Sequence, residues 1–190
     1  MFEVTLVDHL RLTFGHVVYR HKAHTRIAYT RGRWSRWLRG AEAVLMTAVA
    51  LTALGAAFGR GDVRVFAIAS AVFSNLALVI LILHLTFDFE ATAQAHGLCA
   101  TRLWQIREQY RALLSDLADG TMDLETARRR RDALMNELDG IYQNAPPADQ
   151  QAYQSAAQAA AAMDEGALTD EEIDRFLPKS LQKSDKSAAA

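Results

Sequence analysis

The sequence has little of the residue types that build disulfide-linked or turn-rich proteins. Cys99 is the single cysteine, so an internal disulfide and a cysteine-based zinc cluster are both excluded. Three prolines and ten glycines among 190 residues leave little material for a β architecture with many turns. The 22 acidic and 21 basic side chains nearly cancel, which argues against a general nucleic-acid coat, and we expect no stable nucleic-acid partner. Composition therefore favours a helical protein.

Charge is also scarce between residues 41 and 88. Two uncharged runs lie there, Ala43 to Gly59 with 17 residues and Val65 to Phe87 with 23 residues. A helix needs about 20 apolar residues to cross a bilayer core of ~30 Å. We therefore predict two membrane spans, about 41–60 and 65–87. The alternative is a helical hairpin buried in a soluble bundle, but soluble core helices usually keep a polar stripe, and the second run lacks one over its whole length.

The two predicted spans differ in apolar content. The second contains 14 Val, Ile, Leu or Phe residues, which favour insertion by roughly 4 to 8 kcal/mol in sum before its polar residues are counted. The first contains six, so it is marginal alone and should insert together with the second. Only five residues, Arg60 to Arg64, join the two runs. The spans are therefore predicted to form an antiparallel hairpin.

Basic residues cluster before the first span. Seven Lys or Arg residues and no acid lie between Arg20 and Arg39, against two arginines in the joining loop. The positive-inside bias then places both chain termini in the cytoplasm. Aromatic residues at the interface anchor a helix, and two tryptophans stand just before the span. The predicted membrane-anchoring residues are Arg31, Arg33, Trp34, Arg36, Trp37 and Arg39.

The regions outside the hairpin show helical periodicity. Residues 1–40 carry an apolar seam that predicts a cytosolic amphipathic helix, with His21 and His24 on the seam. Residues 89–178 predict a cytosolic helical region that begins with an αα-hairpin, because two apolar seams flank a stop at Asp119-Gly120 and a cap at Asp123.

The end of the chain predicts shorter elements. An alanine-rich helix is expected over 148–163 with Tyr153 as its anchor, and a capping box at Thr169–Glu172 starts a short helix that ends at Pro178. A polar, alanine-terminated tail over 179–190 is predicted to be disordered. The fold class is thus an all-α membrane protein with an N-terminal amphipathic helix, a two-span transmembrane hairpin and cytosolic helices.

Polar and small residues interrupt the spans. The polar positions are Thr47, Thr52, Ser70, Ser74 and Asn75. Gly55 and Gly59 present small residues for close helix approach. The polar positions fit two interpretations, hydrogen bonding within one hairpin or a water-contacting face in an oligomer. Near the cytoplasmic end, His84 and Asp88 stand four residues apart, where an ion pair, a gate or interfacial solvation would each fit.

An arginine run is the sharpest basic feature outside the hairpin. It consists of Arg128, Arg129, Arg130 and Arg131. Four consecutive helical residues point around most of a turn, so they cannot form one patch. A solvated helix with ion pairs to Glu125 and Asp132 is one interpretation. A phosphate-bearing ligand, RNA, anionic lipid or partner contact is the other.

Enzymatic and metal-binding signals are weak. His21 and His24 share a helix face, but no Cys, Asp or Glu lies near enough in sequence to complete a tetrahedral metal site. The sequence has no phosphate-binding, dinucleotide-binding, nucleophile-elbow or zinc-protease motif. We therefore expect no catalytic residue, no metal and no cofactor.

The order of these parts resembles the SLATT family, whose name abbreviates SMODS- and SLOG-associating two-transmembrane effectors. The resemblance is carried by RHKAHTRIAYTRGRWSRWLRG before the hairpin and RRRRDALMNELDGIYQNAPPADQQAY after it. With the spans it covers roughly residues 5 to 160. It implies a bacterial inner-membrane effector of anti-phage systems, held quiescent until a partner sensor responds to infection. It further implies pore formation or membrane disruption that kills the infected cell, an abortive infection.

The resemblance leaves the mode of action to be derived from the residues. The chain contains no fused sensor domain, so activation is expected from a separate nucleotide-signalling or sensor protein. Two spans cannot enclose an aqueous path, so a pore requires a homo-oligomer within the lipid bilayer. A membrane-anchored helical scaffold without pore activity is the alternative, and a soluble helical protein is a third.

Overall fold

A computed structural model describes residues 5–59, 61–147 and 170–183. Within these ranges the chain forms five α-helices and one 3-10 turn, and it contains no β-strand. The elements are α1 (Leu6–Ala57), α2 (Val63–Thr86), α3 (Phe89–Ala118), α4 (Leu124–Gln143), α5 (Asp170–Asp174) and the 3-10 turn Lys179–Leu181. The predicted all-α fold class is confirmed.

The chain divides into two compact units. We call residues 1–27 with 95–190 the core unit, and residues 28–94 the hairpin unit. The hairpin unit therefore holds the second half of α1, all of α2 and the first residues of α3. The core unit holds the first half of α1, the rest of α3, α4, α5 and the 3-10 turn.

α1 is continuous over 52 residues. The predicted amphipathic helix and the predicted first span are thus one helix, and the division predicted at residue 40 is not a break in secondary structure. No proline lies in this stretch. Gly32 and Gly40 fall inside the helix, where a glycine costs only about 1 kcal/mol relative to alanine and does not interrupt it.

The core unit is built from the three predicted apolar seams. On α1, Leu10, Phe14 and Val17 are buried. The buried seam residues of α3 and α4 are Leu103, Ile106, Tyr110, Leu113, Ala127, Leu134, Leu138 and Ile141. Full burial of one large apolar side chain contributes roughly 1.5 to 3 kcal/mol. The seams therefore hold the three helices together.

The turn between α3 and α4 has the predicted chemistry. Gly120 adopts a positive φ of 66°, a conformation that suits glycine and ends α3. The carboxylate of Asp123 then accepts a hydrogen bond from the backbone N–H of Thr126 at 2.9 Å and caps α4. These two residues produce the αα-hairpin.

The C-terminal segment packs on the first half of α1. Ile173 and Leu177 join the apolar core, and the backbone N–H of Lys183 donates to both carboxylate oxygens of Asp174 at 3.0 and 3.1 Å. The predicted disordered tail is therefore wrong for residues 179–183, because contacts with distant residues hold a segment whose own composition is polar.

The remaining C-terminal predictions either differ from the structure at a helix end or lie outside the residues that it describes. The short helix α5 begins at Asp170 and ends at Asp174, four residues before Pro178. The predicted helix at 148–163 with its anchor Tyr153, the first residue of the predicted capping box, Thr169, and the tail from residue 184 lie outside the described residues.

The two apolar helices of the hairpin unit meet at a short turn. α1 ends at Ala57, and α2 begins after Asp62, whose carboxylate accepts a hydrogen bond from the backbone N–H of Arg64 at 2.8 Å. Gly59 and Gly61 both have positive φ, at 64° and 94°. The end of α1 and both ends of α2 thus lie within three residues of the bounds predicted for the spans, whereas α1 begins at Leu6, far before the predicted start of the first span.

Candidate membrane-spanning site

The apolar runs of α1 and α2 are exposed. In the most apolar 18-residue stretch of α1, no residue is buried. In the corresponding stretch that begins in α2, only 6% of the residues are buried. Among the described residues of α2, Ala77 alone is buried. A hairpin in the core of a soluble bundle would be mostly buried, whereas exposed apolar surface of this extent belongs in a membrane or an interface. By length and composition both helices could cross a bilayer.

The polar residues of α1 are satisfied within their own helix. The hydroxyl of Thr47 donates to the carbonyl oxygen of Ala43 at 2.8 Å, and that of Thr52 donates to the carbonyl oxygen of Ala48 at 2.9 Å. Such bonds to the preceding turn let a hydroxyl sit in an apolar helix at low cost. Thr47 and Thr52 therefore need no partner from another helix.

The polar residues of α2 are less fully satisfied. The side-chain amide of Asn75 donates to the carbonyl oxygen of Ala71 at 2.8 Å. This uses one of its two donors and leaves its own acceptor without a partner in the described part of the chain. Ser74 and Asn75 are exposed and Ser70 is half-buried. The three residues thus form an outward-facing polar strip on α2, with no hydrogen bond to the threonines of α1 among the described residues.

Gly55 makes room for an aromatic ring that sequence reasoning did not single out. A Cβ atom built at Gly55 would lie 2.9 Å from Cε1 of Phe66, and one at Gly61 would lie 3.1 Å from Cε2 of the same ring. The close helix approach expected at Gly55 stays a prediction, and the group that lies against Gly55 in this structure is the Phe66 side chain. Gly59 lies beyond the end of α1 with no neighbour within 4 Å. Its predicted packing role is therefore wrong, and it serves the turn.

We expect substitution of Gly55 to be more costly than substitution of Gly40, the matched glycine of α1 with open space around it. Gly55→Leu must displace the Phe66 ring, an overpacking cost of about 1–3 kcal/mol, whereas Gly40→Leu should be neutral or stabilising through helix propensity. Thermal unfolding in detergent compares the two variants. Equal stability of both would contradict this role, and Phe66→Ala should relieve the defect of Gly55→Leu.

The structure separates His84 from Asp88. His84 lies in the last turn of α2 with Nδ1 3.6 Å from Oε2 of Glu42 on α1, an ion pair when the histidine is protonated. Asp88 precedes α3, where its carboxylate accepts a hydrogen bond from the backbone N–H of Ala91 at 3.1 Å. The ion pair between His84 and Asp88 that their spacing allowed is therefore absent, because α2 ends at Thr86 between them.

The predicted anchoring residues fall into two groups. Arg39 forms an ion pair with Glu90 and lies 3.3 Å from the hydroxyl of Ser35, and the guanidinium of Arg31 lies 5.5 Å from the centre of the Phe89 ring. These two arginines thus contact the start of α3. Four others are exposed, namely Arg33, Trp34, Arg36 and Trp37.

The arginine run of α4 is largely engaged on the surface of the core unit. Arg129 donates to the hydroxyl of Thr126 at 3.3 Å, Arg130 pairs with Asp116 of α3 at 3.2 Å, and Arg131 pairs with Asp132 at 2.7 Å, while Arg128 is exposed. A cavity of about 350 Å³ lies beside the run and is lined by Gln109, Ala112, Leu113, Arg130, Ala133, Leu134 and Glu137.

The core unit contains a buried histidine pair that the sequence did not predict. His24 of α1 and His96 of α3 are 4% and 2% exposed, with their Nδ1 atoms 2.9 Å apart. Burial, assisted by His96 and Arg20, lowers the pKa of His24 to about 4. In the described part of the chain no three His, Cys, Asp or Glu side chains are grouped to hold a metal ion. The seam position of His24 indicated burial, but its partner lies 72 residues away.

Arg11 is the second buried polar group that sequence reasoning missed. Only 3% of the residue is exposed, and its guanidinium donates to the carboxylate of Asp174 and, at 2.6 Å, to the carbonyl oxygen of Leu181. An isolated arginine in an amphipathic helix carries no local signal for such burial. The partners come from the opposite end of the chain.

Comparison with known proteins gives one match. No curated protein and no solved structure matches the chain. The model of SMODS and SLOG-associating 2TM effector domain family 4 matches residues 6–172. That range begins at the start of α1 and includes both apolar helices, α3 and α4. The resemblance to the SLATT family is thus confirmed, and the chain belongs to the SMODS and SLOG-associating 2TM effector domain family, family 4.

Proposed function

We propose that this protein is an inner-membrane effector of a bacterial anti-phage system, which oligomerises and permeabilises the membrane when a partner sensor activates it. Membership of a two-transmembrane effector family supports a membrane effector in a defence system. Permeabilisation of the host membrane by such an effector causes abortive infection. The protein acts through assembly and needs no enzymatic step of its own.

The observation that carries the proposal is the polar strip on α2, formed by Ser70, Ser74 and Asn75. Asn75 is exposed on a mainly apolar helix, and its amide is only partly satisfied by Ala71. A polar group left facing hydrocarbon is costly, so membrane proteins turn such groups towards water or a neighbouring helix. Two spans cannot enclose a water path, so the strip favours a homo-oligomer in which several copies of α2 meet.

The charge distribution supports the proposed orientation. Seven basic residues and no acid lie between Arg20 and Arg39, before the first apolar run, and the turn after that run is short. In a bacterial inner membrane the positive-inside bias then keeps both chain termini, and with them the core unit, in the cytoplasm. This is the compartment in which a SMODS- or SLOG-containing sensor protein would meet the effector.

A membrane-anchored scaffold without pore activity is the second candidate. The internal hydrogen bonds of Thr47 and Thr52 favour it, since a helix whose hydroxyls are satisfied by its own backbone can simply sit in lipid. In that case α1 and α2 tether the core unit, and the core unit recruits other proteins.

A membrane-potential assay separates the two functions. We expect expression of the protein together with its genomic neighbours, under phage challenge, to depolarise the cells and stop growth. Replacing Ser70, Ser74 and Asn75 together by leucine should lower the depolarisation rate at least tenfold, because it removes the polar strip while it preserves helix and insertion. The matched control replaces three exposed apolar residues of the same helix by leucine, at Ile68, Val72 and Val79, and should keep full activity.

The outcomes of this assay are distinct. Retained depolarisation in the variant without the polar strip would contradict a pore lined by α2. Protection from phage without any depolarisation, lost when the hairpin is deleted and kept in the polar-strip variant, would favour the scaffold. Membrane fractionation checks that each variant is inserted.

A further inference from the structure

We propose that one face of α1 binds the headgroups of anionic phospholipids. We call it the lipid-binding face and define it by Tyr29, Arg33, Arg36 and Trp37. The proposal requires that the hairpin unit lies in a membrane, but it does not require that the protein forms a pore. Anchoring by the whole basic segment is a sequence-level expectation, whereas this inference assigns a preference for anionic lipid to four residues that the tertiary structure leaves uncovered.

The four residues share one side of the helix. Their spacing of i, i+4, i+7 and i+8 places them on a single face. Tyr29 and Trp37 are 62% and 72% exposed, and Arg33 and Arg36 are exposed as well. The face therefore presents two guanidinium groups flanked by two amphipathic aromatic rings.

The opposite side of α1 is occupied by the start of α3. Arg31 lies against Phe89 and Arg39 pairs with Glu90. Ser35 is only 2% exposed. By contrast, neither Arg33 nor Arg36 has a carboxylate within 4.0 Å in the described part of the chain. The start of α3 thus pairs with Arg39 and lies against Arg31, and it leaves the charges of Arg33 and Arg36 available.

The position along the helix fits the headgroup layer. With a rise of 1.5 Å per residue, Arg36 and Arg33 lie about 7 and 12 Å along the helix axis before residue 41, the predicted start of the span. A bilayer of ~30 Å hydrocarbon thickness is about 40–45 Å thick with its headgroups, which leaves a headgroup layer of about 5–7.5 Å on each side. Arg36 therefore lies at the outer edge of this layer, and Arg33 lies about 5 Å farther out, from where its long side chain can extend to the phosphates.

The chemistry selects anionic headgroups. A guanidinium group binds phosphate oxygens through two parallel hydrogen bonds, and Trp and Tyr side chains favour the membrane–water interface. Zwitterionic and anionic lipids both carry a phosphate, but only the anionic lipid retains net negative charge to balance the unpaired arginines. Each basic residue near such a surface is worth roughly fivefold in affinity.

Tryptophan quenching by brominated lipid tests the proposal directly. The full chain carries three tryptophans, and Trp104→Phe leaves two reporters, Trp37 in the lipid-binding face and Trp34 beside it. This protein is reconstituted in vesicles of phosphatidylcholine with a minority of phosphatidylglycerol, with bromine on one lipid or the other. We expect brominated phosphatidylglycerol to quench several-fold more, per lipid molecule, than brominated phosphatidylcholine.

Two charge-matched variants locate the effect. In the double variant Arg33→Gln, Arg36→Gln, the quenching per molecule of brominated phosphatidylglycerol should fall to that of brominated phosphatidylcholine, as expected for random mixing of the lipids. Arg128→Gln with Arg129→Gln removes the same charge from the core unit and should leave the preference unchanged. Quenching by brominated phosphatidylcholine persists in every inserted variant, so a variant that fails to insert is recognised.

Several results would overturn the proposal. Equal quenching by the two lipids in the unsubstituted protein would mean that the face does not select anionic lipid. Equal loss in both charge-matched variants would mean that net charge alone is sensed. If the double variant Arg33→Gln, Arg36→Gln keeps the full preference for the anionic lipid, these arginines do not bind lipid headgroups, and a protein partner becomes their expected ligand. Because quenching needs no channel activity, failure of the proposed permeabilisation would not affect this test.

Discussion

Replacing Arg11 by methionine should lower the free energy of unfolding of the core unit by about 3–5 kcal/mol, the cost of breaking a buried ion pair from one side. The Arg11 guanidinium and the Asp174 carboxylate are both almost fully buried. Without the arginine, the carboxylate keeps the backbone N–H of Lys183 but loses its buried counter-charge. The carbonyl oxygen of Leu181 loses its donor as well.

The matched control is Arg130→Met. Arg130 pairs with Asp116 where both side chains are largely exposed, and an exposed pair contributes at most about 1 kcal/mol. Denaturant unfolding in mild detergent, followed by Trp104 fluorescence after Trp34→Phe and Trp37→Phe, reports on the core unit. The interpretation fails if Arg11→Met costs no more than Arg130→Met. Arg11→Met combined with Asp174→Leu should recover part of the loss, since no buried charge is then left alone.

Acidification from pH 6.5 to pH 4 should destabilise the core unit by about 3 kcal/mol through His24 alone. The pKa of His24 is lowered to about 4 in the folded protein, against about 6.5 in an unfolded chain. Between these values the unfolded state binds the proton and the folded state does not. The stabilisation is therefore fully present above pH 6.5 and is lost as the pH falls towards 4.

The physical reason is the geometry of the histidine pair. Burial is the largest cause of the lowered pKa, followed by His96 and Arg20. One Nδ1 atom of the pair must donate and the other must accept, so a second proton would place two N–H donors face to face. Asp8 does not titrate between pH 6.5 and pH 4, because the hydrogen bond with Lys183 holds the pKa of its carboxyl below the usual value of 3.8.

Unfolding measured as a function of pH tests this prediction. His24→Gln should flatten the slope between pH 6.5 and pH 4, at some cost in stability near neutral pH. His9→Gln leaves the buried pair intact and should retain the slope. Burial also lowers the pKa values of His16 and His21, so a smaller slope should remain in His24→Gln. An undiminished slope in this variant would assign the acid sensitivity to other groups.

Local signals in the sequence account for the fold class and for most helix boundaries. Apolar side chains at helical spacing predicted the seams of α1, α3 and α4, and the left-handed turn at Gly120 followed by the cap at Asp123 predicted their hairpin. The uncharged runs predicted both exposed apolar helices, because a helix of a given length and composition can be recognised without knowing its neighbours. These are short-range properties.

Local signals failed where one residue's role depends on a distant partner. The tail from Lys179 is polar and was predicted to be disordered, yet Leu181 and Lys183 contact residues of α1 more than 160 positions away. Gly59 matched a packing motif, but α1 ends before it. His84 and Asp88 have the spacing of a helical pair, but a helix end separates them.

The sequence by itself determined the all-α class, the apolar hairpin and the resemblance to the SLATT family, since all three follow from residue order and periodicity. The tertiary structure alone decided which polar groups are buried together, as in the pairs of His24 with His96 and Arg11 with Asp174. It also decided that Arg31 and Arg39 contact the start of α3, whereas Arg33 and Arg36 do not pair with a carboxylate among the described residues. The physical reason is that burial and charge pairing depend on which helix faces pack together, and residue order within one helix does not specify its neighbour.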